Sequence, residues 1–111
     1  MLKGRPNFRR VITRGSMRRS DGLAVYACPG EQDAGAFGIV VTTRVGTAVR
    51  RNRVRRWARE LLRRWQGHLT AGHDLVVLAN RPEAGEGYSH FAEHFARALA
   101  GLGVAEAPLD C

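Results

Sequence analysis

Lysine is almost missing from this chain: Lys3 stands alone against seventeen arginines. Carboxylates are also scarce where the positive charge is densest. Residues 1–65 carry 16 basic and 4 acidic side chains, whereas residues 66–111 carry 2 and 6. The formal net charge is +8 in 111 residues, and the pI is near 11.2. So uneven a polycation points to an extended polyanionic partner, with nucleic acid first and an anionic membrane surface second. Much of the arginine bias fits the codon usage of a GC-rich genome. Guanidinium forks nevertheless suit bidentate phosphate binding and stacking on bases better than ammonium groups do.

Other absences narrow the field. The two cysteines, Cys28 and Cys111, have neither metal-knuckle nor redox spacing. Cys28 lies in an apolar run and reads as a reduced core residue. No apolar run approaches the ~20 residues needed to span a bilayer. No apolar segment follows the basic start, so neither a signal peptide nor a membrane role is expected, and the expected location is the cytoplasm. There is no P-loop, no G-x-S-x-G and no paired-carboxylate signature, so no catalytic residue is assigned within the chain. Repeats and low-complexity tracts are absent as well.

The length fits a single domain over 1–111, with 1–5 and 104–111 expected to be flexible. Pro6–Arg14 predicts a short helix with Phe8, Val11 and Ile12 on one face and Gly15 as its stop. Leu23–Cys28 and Ala36–Thr43 read as strands joined by the turn-forming Pro29–Gly35, which suggests an antiparallel hairpin. A helix is expected from about Val49 to Trp65, with Val54, Trp57, Ala58, Leu61, Leu62 and Trp65 forming one apolar stripe. Gly67 to Gly72 ends it. Asp74–Ala79 is a short buried strand and Arg81–Gly87 a loop. Ser89 is a candidate N-cap for a last helix whose inner face is Phe91, Phe95, Ala98, Leu99 and Leu102. This order implies an α+β fold with three helices packed on a small sheet.

The stretch from Arg50 to Glu60 carries the strongest signal. On a helical wheel Asn52, Arg55, Arg56, Arg59 and Arg63 lie opposite the apolar stripe. Nine arginines fall between Arg44 and Arg64, with Glu60 as the sole carboxylate among them. Like charges at i, i+3 and i+4 repel, so this face is poorly suited to stability alone and well suited to a polyanion. A second basic cluster comprises Lys3, Arg5, Arg9, Arg10, Arg14, Arg18 and Arg19. Phe8 and Tyr26 offer rings on which unpaired bases can stack.

His90-Phe91-Ala92-Glu93-His94 matches the H-x-x-E-H zinc pattern. The pattern is permissive, and only Glu106 and Asp110 follow as possible carboxylate ligands. No metal site is therefore expected there.

The residues from Val45 to Glu60, running V-G-T-A-V-R-R-N-R-V-R-R-W-A-R-E, closely resemble the signature of the bacterial ribonuclease P protein family. Phe8 in the first helix, the strand Gly38-Ile39-Val40-Val41 and the segment Gly72-His73-Asp74-Leu75-Val76-Val77 fall in the matching order, so the resemblance covers roughly residues 6–102. It implies an α-β-β-β-α-β-α sandwich, like that of some ribosomal proteins, with a mostly antiparallel sheet. It also implies an extra strand near Ser16–Ser20 and a left-handed βαβ crossover, against the usual hand. By position it assigns Arg51, Asn52, Arg53, Arg55, Arg56 and Arg59 to RNA binding. Phe8, Tyr26, Thr42 and Arg44 would line a cleft for the 5′ leader of precursor tRNA. Ile12 and Val40 depart from the family's usual aromatic and small polar residues. The implied partners are a catalytic RNA subunit and precursor tRNA. The implied activity is endonucleolytic removal of the leader by the holoenzyme, with Mg²⁺ held mainly by the RNA.

Two other readings compete. A structural RNA-binding protein, such as a ribosomal protein, would share the charge and the fold. A DNA-binding regulator would use an arginine-rich helix in a groove, but no helix-turn-helix pair is evident. The ordered Arg51-Asn52-Arg53 after Gly46 favours ribonuclease P.

Overall fold

Three layers make up the protein: one helix, a four-stranded sheet and a pair of helices. The computed structural model describes residues 5–29, 37–65 and 73–102, leaving aside the side chains of 5–8, 29 and 73. The expected flexible termini, apart from the Arg5 backbone, and the turns at 30–35 and 67–72 fall outside these residues. In chain order the elements are α1 (Arg5–Arg14), β1 (Ser16–Ser20), β2 (Leu23–Pro29), β3 (Phe37–Val41), α2 (Ala48–Trp65), β4 (His73–Ala79) and α3 (Tyr88–Leu102). Short 3-10 turns at Thr43–Val45 and Pro82–Gly85 follow β3 and β4.

The sheet order is β1-β2-β4-β3, and the expected β2–β3 hairpin is not formed. β4 lies between those two strands, antiparallel to β2 and parallel to β3. The central place suits its sequence, because Leu75, Val76, Val77 and Ala79 are buried from both faces of the strand. β3 reaches it through α2, which forms a βαβ crossover.

β1 joins β2 through Asp21 and Gly22, whose φ angles of 43° and 91° are both positive. Aspartate and glycine are the pair favoured in such two-residue hairpin turns. In sequence, SMRRS offers no apolar alternation, and four of its five residues are exposed, so this edge strand is invisible to pattern alone.

Alternation along the strands divides the core. Leu23, Val25, Ala27, Leu75, Val77, Ala79 and Val41 face α2 and α3. All six residues of the α2 stripe are buried there. Trp57 meets Tyr88 and Phe91 at ring centroid distances of 6.2 and 5.9 Å, and Trp65 meets Phe95 at 6.5 Å. This aromatic seam fixes the roll of α2 about its axis and hence the direction in which its arginines point. The expected inner face of α3 is present, but the helix starts at Tyr88. Phe91 N–H bonds to the Gly87 carbonyl, so Ser89 lies inside the first turn and does not cap it.

The opposite face carries a smaller core of Val11, Cys28 and Val76, with Tyr26 and Val40 at its edge. Ile12 does not join Val11; it is 38% exposed. Cys28 is buried as expected. Arg10 donates to its sulfur at 3.4 Å and forms an ion pair with Asp74, the one buried charged residue among those described. Arg10→Met should remove this ion pair from the buried carboxylate beside the small core. The expected loss is about 2 kcal/mol, visible as a lower urea midpoint with an unchanged m-value. An unchanged midpoint would show that Asp74 is satisfied without Arg10.

Candidate nucleic-acid interface

On α2 the charged face of the wheel is realised. Asn52, Arg53, Arg56, Arg59, Arg63 and Arg64 are exposed, and Arg51 and Arg55 are half-buried. Among the described residues no arginine of α2 forms an ion pair. Arg55 Nη1 donates to Asn52 Oδ1 at 2.7 Å, which leaves the Asn52 amide N–H groups as outward donors. Arg51 Nε is buried without a hydrogen-bond partner. The result is a row of guanidinium donors on a rigid helix, with spare capacity for phosphate.

Arg50 serves a different purpose. It bonds the Pro82 carbonyl at 2.8 Å and lies across Gly85, where an added Cβ would come 2.3 Å from its Nε. A side chain at 85 would push this guanidinium aside. This contact ties the start of α2 to the turn after β4.

On the other side of the sheet, α1 leaves part of the surface open. Arg19, Ala24, Tyr26, Leu78, Asn80, Arg81 and Glu83 line a groove there, and Asp21 sits at its edge. Its lining sets Ala24, Leu78 and the Tyr26 ring beside Arg19 and Arg81, with the carboxylates of Asp21 and Glu83 also present. The ring and the two guanidinium groups are features that a single strand can use. The groove runs toward the Pro82–Gly85 turn, which Arg50 joins to α2. Through that turn, whose Glu83 lines the groove, Arg50 connects the start of α2 to this region.

Of the four cleft candidates, Tyr26 lines this groove. Thr42 and Arg44 sit beyond the end of β3 and are not among the lining residues; Thr42 Oγ1 is buried and unpartnered. Phe8 belongs to α1, but its side chain is outside the described residues. Arg19 and Arg81 line the groove although neither was assigned to a cleft. Arg19 was visible only as one member of a basic cluster, and Arg81 as an isolated loop residue. That cluster also divides: Arg10 serves the core, and Arg18 Nε bonds the Gly101 carbonyl of α3 at 3.0 Å.

The sequence offers His90 and His94 no third metal ligand nearby, but the fold supplies one by bringing Asp21 to the pair, which corrects the expectation on that point.

A family model for ribonuclease P matches residues 1–103. The ribonuclease P protein component of Coprothermobacter proteolyticus is 43% identical over 79 residues, covering 68% of this chain and 62% of that protein. The Chloroflexus aurantiacus component is 40% identical over 82 residues, covering 74% and 61%. The matches thus span about three-fifths of the length of these curated relatives. The solved RNase P protein of Staphylococcus aureus superimposes with a TM-score of 0.85 at 26% identity, covering 94% of this chain and 95% of that one. The Thermotoga maritima RNase P protein, solved with 1-(4-fluorophenyl)-2-thiourea, gives 0.79 at 29% identity, covering 89% and 96%. With the family model matching residues 1–103 and the four-stranded sheet and three helices in agreement, the chain belongs to the ribonuclease P protein family.

Proposed function

We propose that this protein is the RNA-binding subunit of a ribonuclease P holoenzyme that removes the 5′ leader from precursor tRNA. One observation carries the reading: a helix locked by an aromatic seam presents arginines that have no carboxylate partner among the described residues, while a groove lies open on the other side of the sheet. The arginine face, with Arg51, Asn52, Arg53, Arg55, Arg56 and Arg59, is assigned to RNA phosphates. The groove around Tyr26, with Arg19 and Arg81 on its walls, is assigned to the single-stranded leader. Thr42 and Arg44 extend that path past the end of β3.

Hydrolysis of a phosphodiester calls for a metal-activated water and a stabilised leaving oxygen, and we assign the Mg²⁺ that supplies them to the RNA. The protein's part is electrostatic and positional. Its arginines offset phosphate repulsion, and its groove sets the leader's direction through backbone and stacking contacts. The cytoplasm is the compartment this role requires. The deciding experiment isolates the RNA that co-purifies with the protein and assays it, with and without the protein, for Mg²⁺-dependent cleavage of precursor tRNA. A co-purifying RNA without that activity, or cleavage by RNA-free protein, would refute the proposal.

Tyr26→Ala tests the groove. Stacking is worth about 1–3 kcal/mol per base, so holoenzyme affinity for leader-bearing tRNA should fall roughly 5- to 150-fold. Mature tRNA, which has no leader to stack, should bind almost unchanged. The ratio of the two affinities at fixed salt and Mg²⁺ is the readout. Equal losses would place Tyr26 outside the leader path.

A further inference from the structure

Asp21, His90 and His94 come from opposite ends of the chain, yet each turns one ligand atom toward the others, all within 4.8 Å. We propose that these three residues bind one divalent transition-metal ion of the zinc class, clamping the β1–β2 turn to α3. The site lies away from the arginine face, and its ligands are unlike those Mg²⁺ prefers.

The histidines stand one turn apart on α3, with ring centroids separated by 4.4 Å. His90 Nε2 is 2.7 Å from Asp21 Oδ2, and His94 Nε2 is 3.7 Å from the same oxygen. Zinc–nitrogen and zinc–carboxylate bonds of about 2.0–2.1 Å in a tetrahedron set ligand atoms roughly 3.3 Å apart. The two distances straddle that value, so small side-chain rotations suffice to seat the ion. Glu86 Oε2, 3.9 Å from His90 Nε2, is within reach of the fourth position, which water could also fill. Two imidazoles and a carboxylate favour zinc, cobalt, nickel or copper over magnesium and calcium.

The surroundings are arranged as for ligands. Ser20 Oγ lies 2.5 Å from His94 Nδ1, which fixes the ring with Nε2 facing the cluster, as outer hydrogen bonds do in metal sites. Asp21 is held by the hairpin turn, in the left-handed conformation that aspartate tolerates. His90 Nε2 already bonds Asp21, whereas His94 Nε2, at 3.7 Å, is too far from that oxygen for a hydrogen bond and is the atom an ion would engage. One dication would engage all three ligand atoms at once. Asp21 also edges the groove, so loading the ion would replace a negative charge with a net positive one beside the proposed leader path.

The test uses the whole chain, stripped with a chelator and titrated with Zn²⁺ by calorimetry and with Co²⁺ by visible absorption. One equivalent should bind, Co²⁺ should show d–d bands that Zn²⁺ abolishes, and the thermal midpoint should rise on loading. Asp21→Asn and His94→Gln should each weaken binding at least about tenfold and remove the rise. Asparagine keeps the turn conformation, and circular dichroism of the metal-free variants checks their fold. Absence of one-equivalent binding in the wild-type protein would overturn the site. So would wild-type affinity in either variant, which would move the ion to other residues such as the histidines at 68 and 73. Because no RNA is present, failure here leaves the RNA-binding proposal standing.

Discussion

Arg55→Ala combined with Arg59→Ala is expected to lower affinity for the cognate RNA by at least about a hundredfold while leaving the thermal midpoint unchanged or higher. Hydrogen bonds to charged groups are worth about 1.5–3 kcal/mol each, and the pair supplies two such contacts. Each lost phosphate contact should also reduce the salt slope of log K by roughly 0.7–0.9. The stability side of the expectation comes from the unpaired face. Arg55, Arg56, Arg59 and Arg63 repel one another at helical spacing, and no ion pair among the described residues offsets them. Affinity must therefore be measured at several salt concentrations alongside a melting curve. Undiminished affinity with an unchanged slope would remove α2 from the interface, and a large fall in midpoint would make the arginines structural.

The largest effect on stability is expected at Phe95. The side chain is fully buried, 6.4 Å from Phe91 and 6.5 Å from Trp65 between ring centroids, in the seam that joins α3 to α2. Phe95→Ala should cost about 3–5 kcal/mol through lost burial and the cavity left behind. That is a large share of the roughly 5–15 kcal/mol that stabilises a domain. Urea titration supplies the measurement. A cost below about 1 kcal/mol would mean that the seam repacks around the gap. Because the seam sets the roll of α2, a destabilised Phe95→Ala protein should also bind RNA less tightly, an effect that saturating RNA would offset by mass action.

What could be seen in the sequence was whatever one element determines by itself. The stripe from Val54 to Trp65 follows the 3.6-residue period, so both faces of α2 were legible, and the arginine face came with them. The inner face of α3 was legible for the same reason. Pairings between distant segments were not. LAVYAC and AFGIVVTT are neighbours in sequence, and nothing in either announces that DLVVLA intervenes. SMRRS lacks the alternation that marks a strand. Its position came from the family resemblance, although Asp21-Gly22 was a usable hairpin signal. The groove draws on β1, β2, β4 and the turn after β4, so Arg19 and Arg81 could not be joined in sequence. Asp21 and His94 are likewise 73 positions apart, and only the docking of α3 on the hairpin makes them neighbours.

The central position of β4 has a consequence for the order of events during synthesis. β1 and β2 can pair as soon as they are made, but the other edge of β2 and the whole of β3 must wait for residues 73–79. Until then the nascent chain is a polycation with only the β1–β2 hairpin to build on, its arginine-rich segment already translated and β3 still without its partner. The local β2–β3 hairpin is available during that interval and must be undone, or never formed, for β4 to enter. Topology thus gives residues 73–79 control over the closing of a sheet whose other three strands are all made before them.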